Sequence, residues 1–225
     1  MFNIDYELNE KIHAIIINPY LSLEELNANC DLIQKYNIRN VSTSLNFLST
    51  IKDALNNHKV NINTLISYPL ADLPLDFIDE FVSYAKDNGA SGIEYIPNFL
   101  KLSKNDLNSF ASEIESINAS ELPVTIIINK TKLDKKLFEK AIEISLELGI
   151  TNFQFGDGFG PAISKVDIVE ILKYIGNQNS IKVVGSIKTL TQVVDLFDSG
   201  IDCIGTSNFN EIFKEIRLNL NVRRK

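Results

Sequence analysis

The chain is poor in the residues that staple, ligate or join. It has two cysteines in 225 residues, Cys30 on the apolar face of a helical pattern and Cys203 inside a strand pattern. That is no disulfide framework, and it suits a reducing compartment. The two histidines, His13 and His58, fall in different units, and no His, Cys, Asp or Glu group has metal-ligand spacing, so neither a metal nor another cofactor is expected. Linker composition, low-complexity tracts and internal charge blocks are missing, and residues 1–225 read as one domain. Without an N-terminal signal pattern or a long apolar run, a cytoplasmic location with no membrane partner is expected. Positive charge is also scarce: 22 Lys and Arg against 29 Asp and Glu leave a net charge of −7. Phosphate backbones demand clustered cations, so nucleic acid is not expected as a partner. The only dense basic patch, residues 217–225, reads as a solvated helix end. No nucleophile elbow, Walker loop or dinucleotide fingerprint occurs. Gly156-Asp157-Gly158-Phe159-Gly160 follows a strand pattern but lacks the fingerprint's order and its downstream acid, which disfavours nucleotide and hydride chemistry.

What is present is a regular alternation. Apolar runs of strand length at residues 12–17, 39–44, 60–67, 91–96, 124–129, 151–156, 181–185 and 201–205 are separated by amphipathic stretches of helix length. Ser22 with Glu25 has the form of a capping box, and Asn88-Gly89 and Leu148-Gly149 mark helix ends before new strands. Near the C-terminus Gly185-Ser186-Ile187-Lys188-Thr189 and Gly205-Thr206-Ser207-Asn208 each close an apolar run and open a helical one. Such a turn lets backbone N–H groups approach an anion beside a helix start, and a phosphate pocket recurs after strands 7 and 8 of the eight-fold barrel. The expectation is an α/β chain folded as a single-domain (β/α)8 TIM barrel. Two units are weakly marked: the second strand, Val41-Ser42-Thr43-Ser44, is unusually polar for a barrel interior, and the helix within residues 45–57 has no clear start. Phe77, Phe81, Phe110, Phe138, Phe197 and Phe213 sit at core spacing.

In this fold, side chains at the C-terminal ends of the strands face the substrate. Taken strand by strand they are Asn18, Ser44, Ser67 with Tyr68, Glu94 with Asn98, Asn129 with Lys130, Gln154 with Asp157, and Lys182. Lys182 lies in an apolar run three residues before the glycine turn, where desolvation lowers an amine's pKa and prepares it for imine chemistry or proton transfer. A strand-edge lysine reaching solvent is the bland alternative. Glu94 is the matching carboxylate, able to hold that lysine charged or to relay a proton, and it too has a bland alternative as an exposed strand end. Lys188, one turn into the strand 7 loop, can neutralise a phosphate as a point charge.

These motifs, in this order, resemble the deoxyribose-phosphate aldolases, class I aldolases that work through a lysine Schiff base. Ile16-Ile17-Asn18-Pro19 is similar to the family's Leu-Leu-Lys-Pro, Ser67-Tyr68-Pro69-Leu70-Ala71 to its Gly-Phe-Pro-Leu-Gly, and Gly92-Ile93-Glu94-Tyr95-Ile96-Pro97-Asn98 to its Glu-Ile-Asp-Met-Val-x-Asn. Lys182-Val183-Val184-Gly185-Ser186-Ile187-Lys188-Thr189 is similar to Lys-x-x-Gly-Gly-Ile-Arg-Thr, and Ile204-Gly205-Thr206-Ser207 to Ile-Gly-Thr-Ser. The resemblance implies a phosphorylated sugar or aldehyde as ligand, a homodimer, and a phosphate side made of Gly158, Gly185, Ser186, Lys188, Gly205 and Ser207.

The departures fall on the reacting side. Where the family has Phe-Ile-Lys-Thr-Ser-Thr-Gly-Phe, the chain has Asn152-Phe153-Gln154-Phe155-Gly156-Asp157-Gly158-Phe159, so Gln154 takes the place of the imine lysine. An amide nitrogen has its lone pair delocalised and forms no imine. The family's strand 4 aspartate is lengthened to Glu94, its second lysine persists as Lys182, and its polar residues on strands 1, 2 and 5 give way to His13-Ala14-Ile15, Ser42-Thr43-Ser44-Leu45 and Asn129-Lys130. Three readings stand: a carbon–carbon lyase with the Schiff base moved to Lys182; a catalytically silent relative that binds a phosphometabolite or a protein, with Gln154 as a hydrogen-bonding residue; and non-covalent proton transfer with Glu94 as base and Lys182 as electrophile.

Overall fold

In the computed structural model, which describes residues 8–176 and 178–223, eight parallel strands close into a barrel in chain order. They are β1 (Ile12–Ile16), β2 (Asn40–Ser44), β3 (Asn61–Ile66), β4 (Gly92–Tyr95), β5 (Val124–Ile128), β6 (Asn152–Phe155), β7 (Ser180–Val184) and β8 (Cys203–Thr206). The ring is completed by β8 against β1, with Ile12 beside Ile204 and Ala14 beside Thr206. One main helix follows each strand: α1 (Leu23–Tyr36), α2 (Leu48–Ala54), α3 (Ile78–Asp87), α4 (Leu107–Asn118), α5 (Lys135–Glu147), α6 (Lys165–Ile175), α7 (Leu190–Phe197) and α8 (Phe209–Arg223). Short turns of helix also occur at Leu8–Lys11 and Phe99–Ser103, which the hydrophobic pattern does not announce.

The period-two alternation of a strand separates two environments. On β6, Phe153 and Phe155 face the helix layer, where Phe155 meets Phe138 of α5 at 5.9 Å between ring centroids. Gln154, between them, faces the lumen. The same parity on β1 buries Ile12, Ala14 and Ile16 under the helices and turns His13 and Ile15 inward. Local caps hold the helices in register. Ser22 and Glu25 form the expected reciprocal box, and Ser164 with Asp167 and Thr189 with Gln192 form two more. The polarity of β2 has a structural use, since Thr43 donates to the Ile16 carbonyl at 2.8 Å and Ser42 reaches across the lumen. The ambiguous stretch after β2 resolves into a 3-10 turn at Leu45–Phe47 leading into α2.

Two of the six phenylalanines placed in the core by spacing are not there. Phe77 and Phe81 are 47% and 38% exposed, whereas Phe110, Phe138, Phe197 and Phe213 are buried. The reason is the short α3, which buries the stripe holding Ile78 and Ala85. Phe77, Phe81 and Tyr84 share a neighbouring stripe that no element covers among the described residues. The basic tail also differs from a merely solvated end. Arg217 donates to the Lys35 carbonyl at 3.2 Å and stacks its guanidinium 4.7 Å over the Tyr36 ring, while residues 224 and 225 lie outside the described residues.

Candidate active site

The C-terminal mouth of the barrel holds a cavity of about 220 Å³. Ser42, Glu94 and Gln154 contribute polar groups to its wall, Ile15, Leu65 and Val184 apolar ones, and the loops after β6, β7 and β8 its rim. Next to it lies a closed polar triangle. Lys182 Nζ donates to Glu94 Oε1 at 2.6 Å and to Ser42 Oγ at 3.0 Å, and Ser42 Oγ donates to the same carboxylate oxygen at 2.7 Å. Asn63 adds a longer bond to it at 3.4 Å. Lys182 and Glu94 are 4% and 1% exposed, so the pair sits in low dielectric where each charge depends on the other. Ser42 and Glu94 line the mouth cavity, and Lys182 lies behind them.

Gln154 is buried beside this pair. Its Nε2 donates to the Gly156 carbonyl at 3.1 Å, and its Oε1 is buried without a hydrogen-bond partner. Gly156 turns the chain at φ 87°, and a Cβ there would meet the Val184 carbonyl oxygen at 2.0 Å; only glycine brings the β6 loop this close to β7. The loop is then held by Asp157, which accepts from Asn129 Nδ2 at 2.8 Å, the Phe159 N–H at 2.9 Å and Lys132 Nζ at 2.8 Å. Tyr68 Oη closes the near side by donating to the Asp157 carbonyl at 2.8 Å. Burial, with the Asp157 and Glu94 charges behind it, pushes the Tyr68 phenol well above its ordinary value, which keeps it a donor.

On the glycine side, Gly158, Gly185, Ser186, Gly205 and Ser207 all line the cavity, with Asn208. Gly185 and Ser186 both have positive φ, 122° and 55°, a turn that aims consecutive N–H groups to one side. Lys188 stands apart: it is exposed and outside the cavity wall, and its backbone N–H donates to Gln192 Oε1 at 2.8 Å. At the opposite end of the lumen, a second cavity of about 310 Å³ is lined by His13, Asn40, Asn61, Asn63, Asn152 and the underside of Lys182. His13 Nδ1 is buried there without a partner, and burial, then the Lys182 charge, pushes the imidazole pKa well down.

The remaining strand-end residues have local duties. Asn18 caps the Tyr20 N–H, Asn98 caps the Phe99–Ser103 turn, and Ser44 donates to Asn46. Lys130 turns out of the barrel to Asp167 and Glu170, at 3.1 and 2.9 Å. Ser42 and Phe159 line the cavity without having been singled out as site residues in the sequence; only the polarity of β2 pointed toward the first. Among the described residues, no group of three or more His, Cys, Asp or Glu is arranged to hold a metal ion, and no helix is long and apolar enough to cross a membrane.

The chain is 29% identical over 208 residues to the deoxyribose-phosphate aldolase of Dictyoglomus turgidum, covering 90% of this chain and 94% of that one. With the enzyme of the same name from Mycoplasmoides pirum it shares 28% over 213 residues, covering 92% and 96%. No family model matches. Among solved structures, an aldolase designated QR15 superposes with a TM-score of 0.89 at 20% identity, covering 96% of this chain and 99% of that one. The deoxyribose phosphate aldolase of Aeropyrum pernix, described as a tetramer, gives 0.84 at 18% identity, covering 94% and 91%. The closed ring, with its polar site at the C-terminal mouth, is a (β/α)8 barrel of the fold those structures share. Sequence likeness along nearly the whole length narrows this: the chain is similar to deoxyribose-phosphate aldolases.

Proposed function

We propose that the mouth cavity binds a small phosphorylated aldehyde or sugar and that the chain is a carbon–carbon lyase of the aldolase type with Lys182 as its amine. The observation that carries this is the 2.6 Å contact between Lys182 Nζ and Glu94 Oε1 in a buried site against the cavity. An ammonium is not a nucleophile, and a carboxylate in direct contact is the group that takes its proton. The neutral amine then adds to a carbonyl carbon, and Glu94 returns the proton as the carbinolamine oxygen leaves as water. The resulting iminium takes up the electrons of the cleaved carbon–carbon bond as an enamine, while the β-hydroxyl gives its proton to the Glu94 carboxylate and leaves as the carbonyl of the second product. The Gly185-Ser186 turn after β7 and the Ser207-Asn208 segment after β8 line the cavity on the far side, where a phosphate would sit. The family's imine lysine is matched here by Gln154, so the covalent role passes to the neighbouring stave.

A second reading is favoured by a specific observation: Ser42 and Glu94 line the cavity and Lys182 does not. A lysine covered by its carboxylate partner describes a silent relative that binds a phosphometabolite. Borohydride reduction in the presence of acetaldehyde or glyceraldehyde 3-phosphate separates the two. Mass added at Lys182 is expected for the lyase. Thermal stabilisation by phosphorylated sugars, about 2.7 kcal/mol at a hundred times the dissociation constant, without label anywhere supports the silent binder. A chain that is neither labelled nor stabilised overturns both readings.

A further inference from the structure

The interior of the barrel contains a spare donor beside a spare acceptor. An ammonium has three N–H donors, and Lys182 Nζ places two of them, on Glu94 and on Ser42. Gln154 Oε1 is buried and accepts nothing. Its orientation is fixed, because the other end of the amide meets a carbonyl, that of Gly156 at 3.1 Å, and a carbonyl only accepts. Gln154 and Lys182 are direct partners in the β6–β7 register, on strands roughly 4.8 Å apart, with both side chains in the lumen. They differ in one respect: Gln154 lines the mouth cavity and Lys182 does not.

A buried acceptor left unpaired is costly and persists where it has a use. We infer that Gln154 is a positioning residue, a second seat for the Lys182 amine, occupied when a ligand engages Glu94 and Ser42. The move exchanges one acceptor for another without stranding the charge. It also carries Nζ from behind Glu94 to the cavity wall, which is the step a covered amine needs before it can meet a carbonyl. The inference rests on the amine role proposed for Lys182. The other buried side-chain polar atom left unpaired among the described residues, His13 Nδ1, lies in the basal cavity on β1, and a retreat toward it would take the amine away from the ligand.

The test follows the Lys182 amine directly, by NMR titration of a chain carrying 13C-labelled lysine, in the Glu94→Gln background where the carboxylate no longer dominates. Adding Gln154→Met to that background is expected to raise the acid dissociation constant of Lys182 roughly ten-fold, the worth of one hydrogen bond to a charged group. Adding His13→Leu instead is not. In the otherwise native chain, Gln154→Met is expected to slow borohydride trapping of acetaldehyde at least about ten-fold while leaving half-saturation by the aldehyde unchanged; this arm decides the matter if the Glu94→Gln chains do not fold. An unchanged dissociation constant with Gln154→Met, a change with His13→Leu instead, or unaltered trapping in the native background overturns the second seat. If the native chain is never trapped at Lys182, the lyase reading fails, and the titration still decides the seat by itself.

Discussion

Lys182 and Glu94 form the pair on which the site depends, and their burial makes them sensitive to single substitution. Lys182→Met leaves a buried carboxylate without its counter-ion and is expected to cost about 3–5 kcal/mol in urea unfolding, most of it recovered when Glu94→Leu is added. A loss below about 1 kcal/mol for the single variant would contradict the closed triangle. His13 adds a pH dependence of known sign. Its folded pKa is pushed down by burial and by Lys182, so the unfolded chain takes up the proton first. Stability is therefore complete above the unfolded value, about 6.5, and falls as the pH drops through it until the folded imidazole also titrates. His13→Gln should flatten the urea midpoint between about pH 7.5 and 5, relative to the native chain. At this scale the sequence was partly legible. Lys182 and Glu94 stood out because charge inside a barrel strand is rare, yet their contact spans 88 positions and crosses the lumen from β7 to β4. Ser42 gave no such signal, since a hydroxyl in a polar strand looks the same whether it faces helices, solvent or an ion pair. The place of Lys188 in the loop suits a phosphate contact, but that place does not fix where a long side chain points.

The loop from β6 into α6 shows what local backbone demands add. Gly156→Ala puts a methyl against the Val184 carbonyl at a positive φ, and the obstacle is main chain that cannot move aside. A loss above about 3 kcal/mol or insoluble product is expected. Gly176→Ala, at φ 72° but with nothing within 4 Å, should cost only about 1–2 kcal/mol by the same measurement. Equal losses would refute the crowding at Gly156. Elements of this kind were the most readable part of the chain. Strand limits expected from apolar runs agree with β1 to β8 to within one or two residues, because most runs end where a glycine, asparagine, proline or cap residue interrupts them. The failures share a cause. Phe77 and Phe81 obey helical spacing, but spacing defines stripes and does not say which stripe of a three-turn helix a neighbour covers. Lys130 follows Asn129 at a strand end, and the alternation of sides sends one inward and the other to Asp167.

At the level of the whole molecule, we expect residues 1–225 to behave as one cooperative domain. The chain has seven tyrosines and no tryptophan, so tyrosine fluorescence reports from several units at once, and its urea transition should coincide with that of far-UV ellipticity. Two separated transitions would divide the barrel. The fold and the likeness to aldolases were legible here because five short motifs stand in order along nearly the whole length, while activity was not, since it turns on side chains that meet only across neighbouring staves. The pairing of β8 with β1 has a consequence for chain order. A ring has no privileged starting point, and its first and last staves are already neighbours. A circular permutant that joins the present ends with a flexible spacer and begins at Ser120, in the connection before β5, should therefore assemble the same enclosure with the same amine inside it.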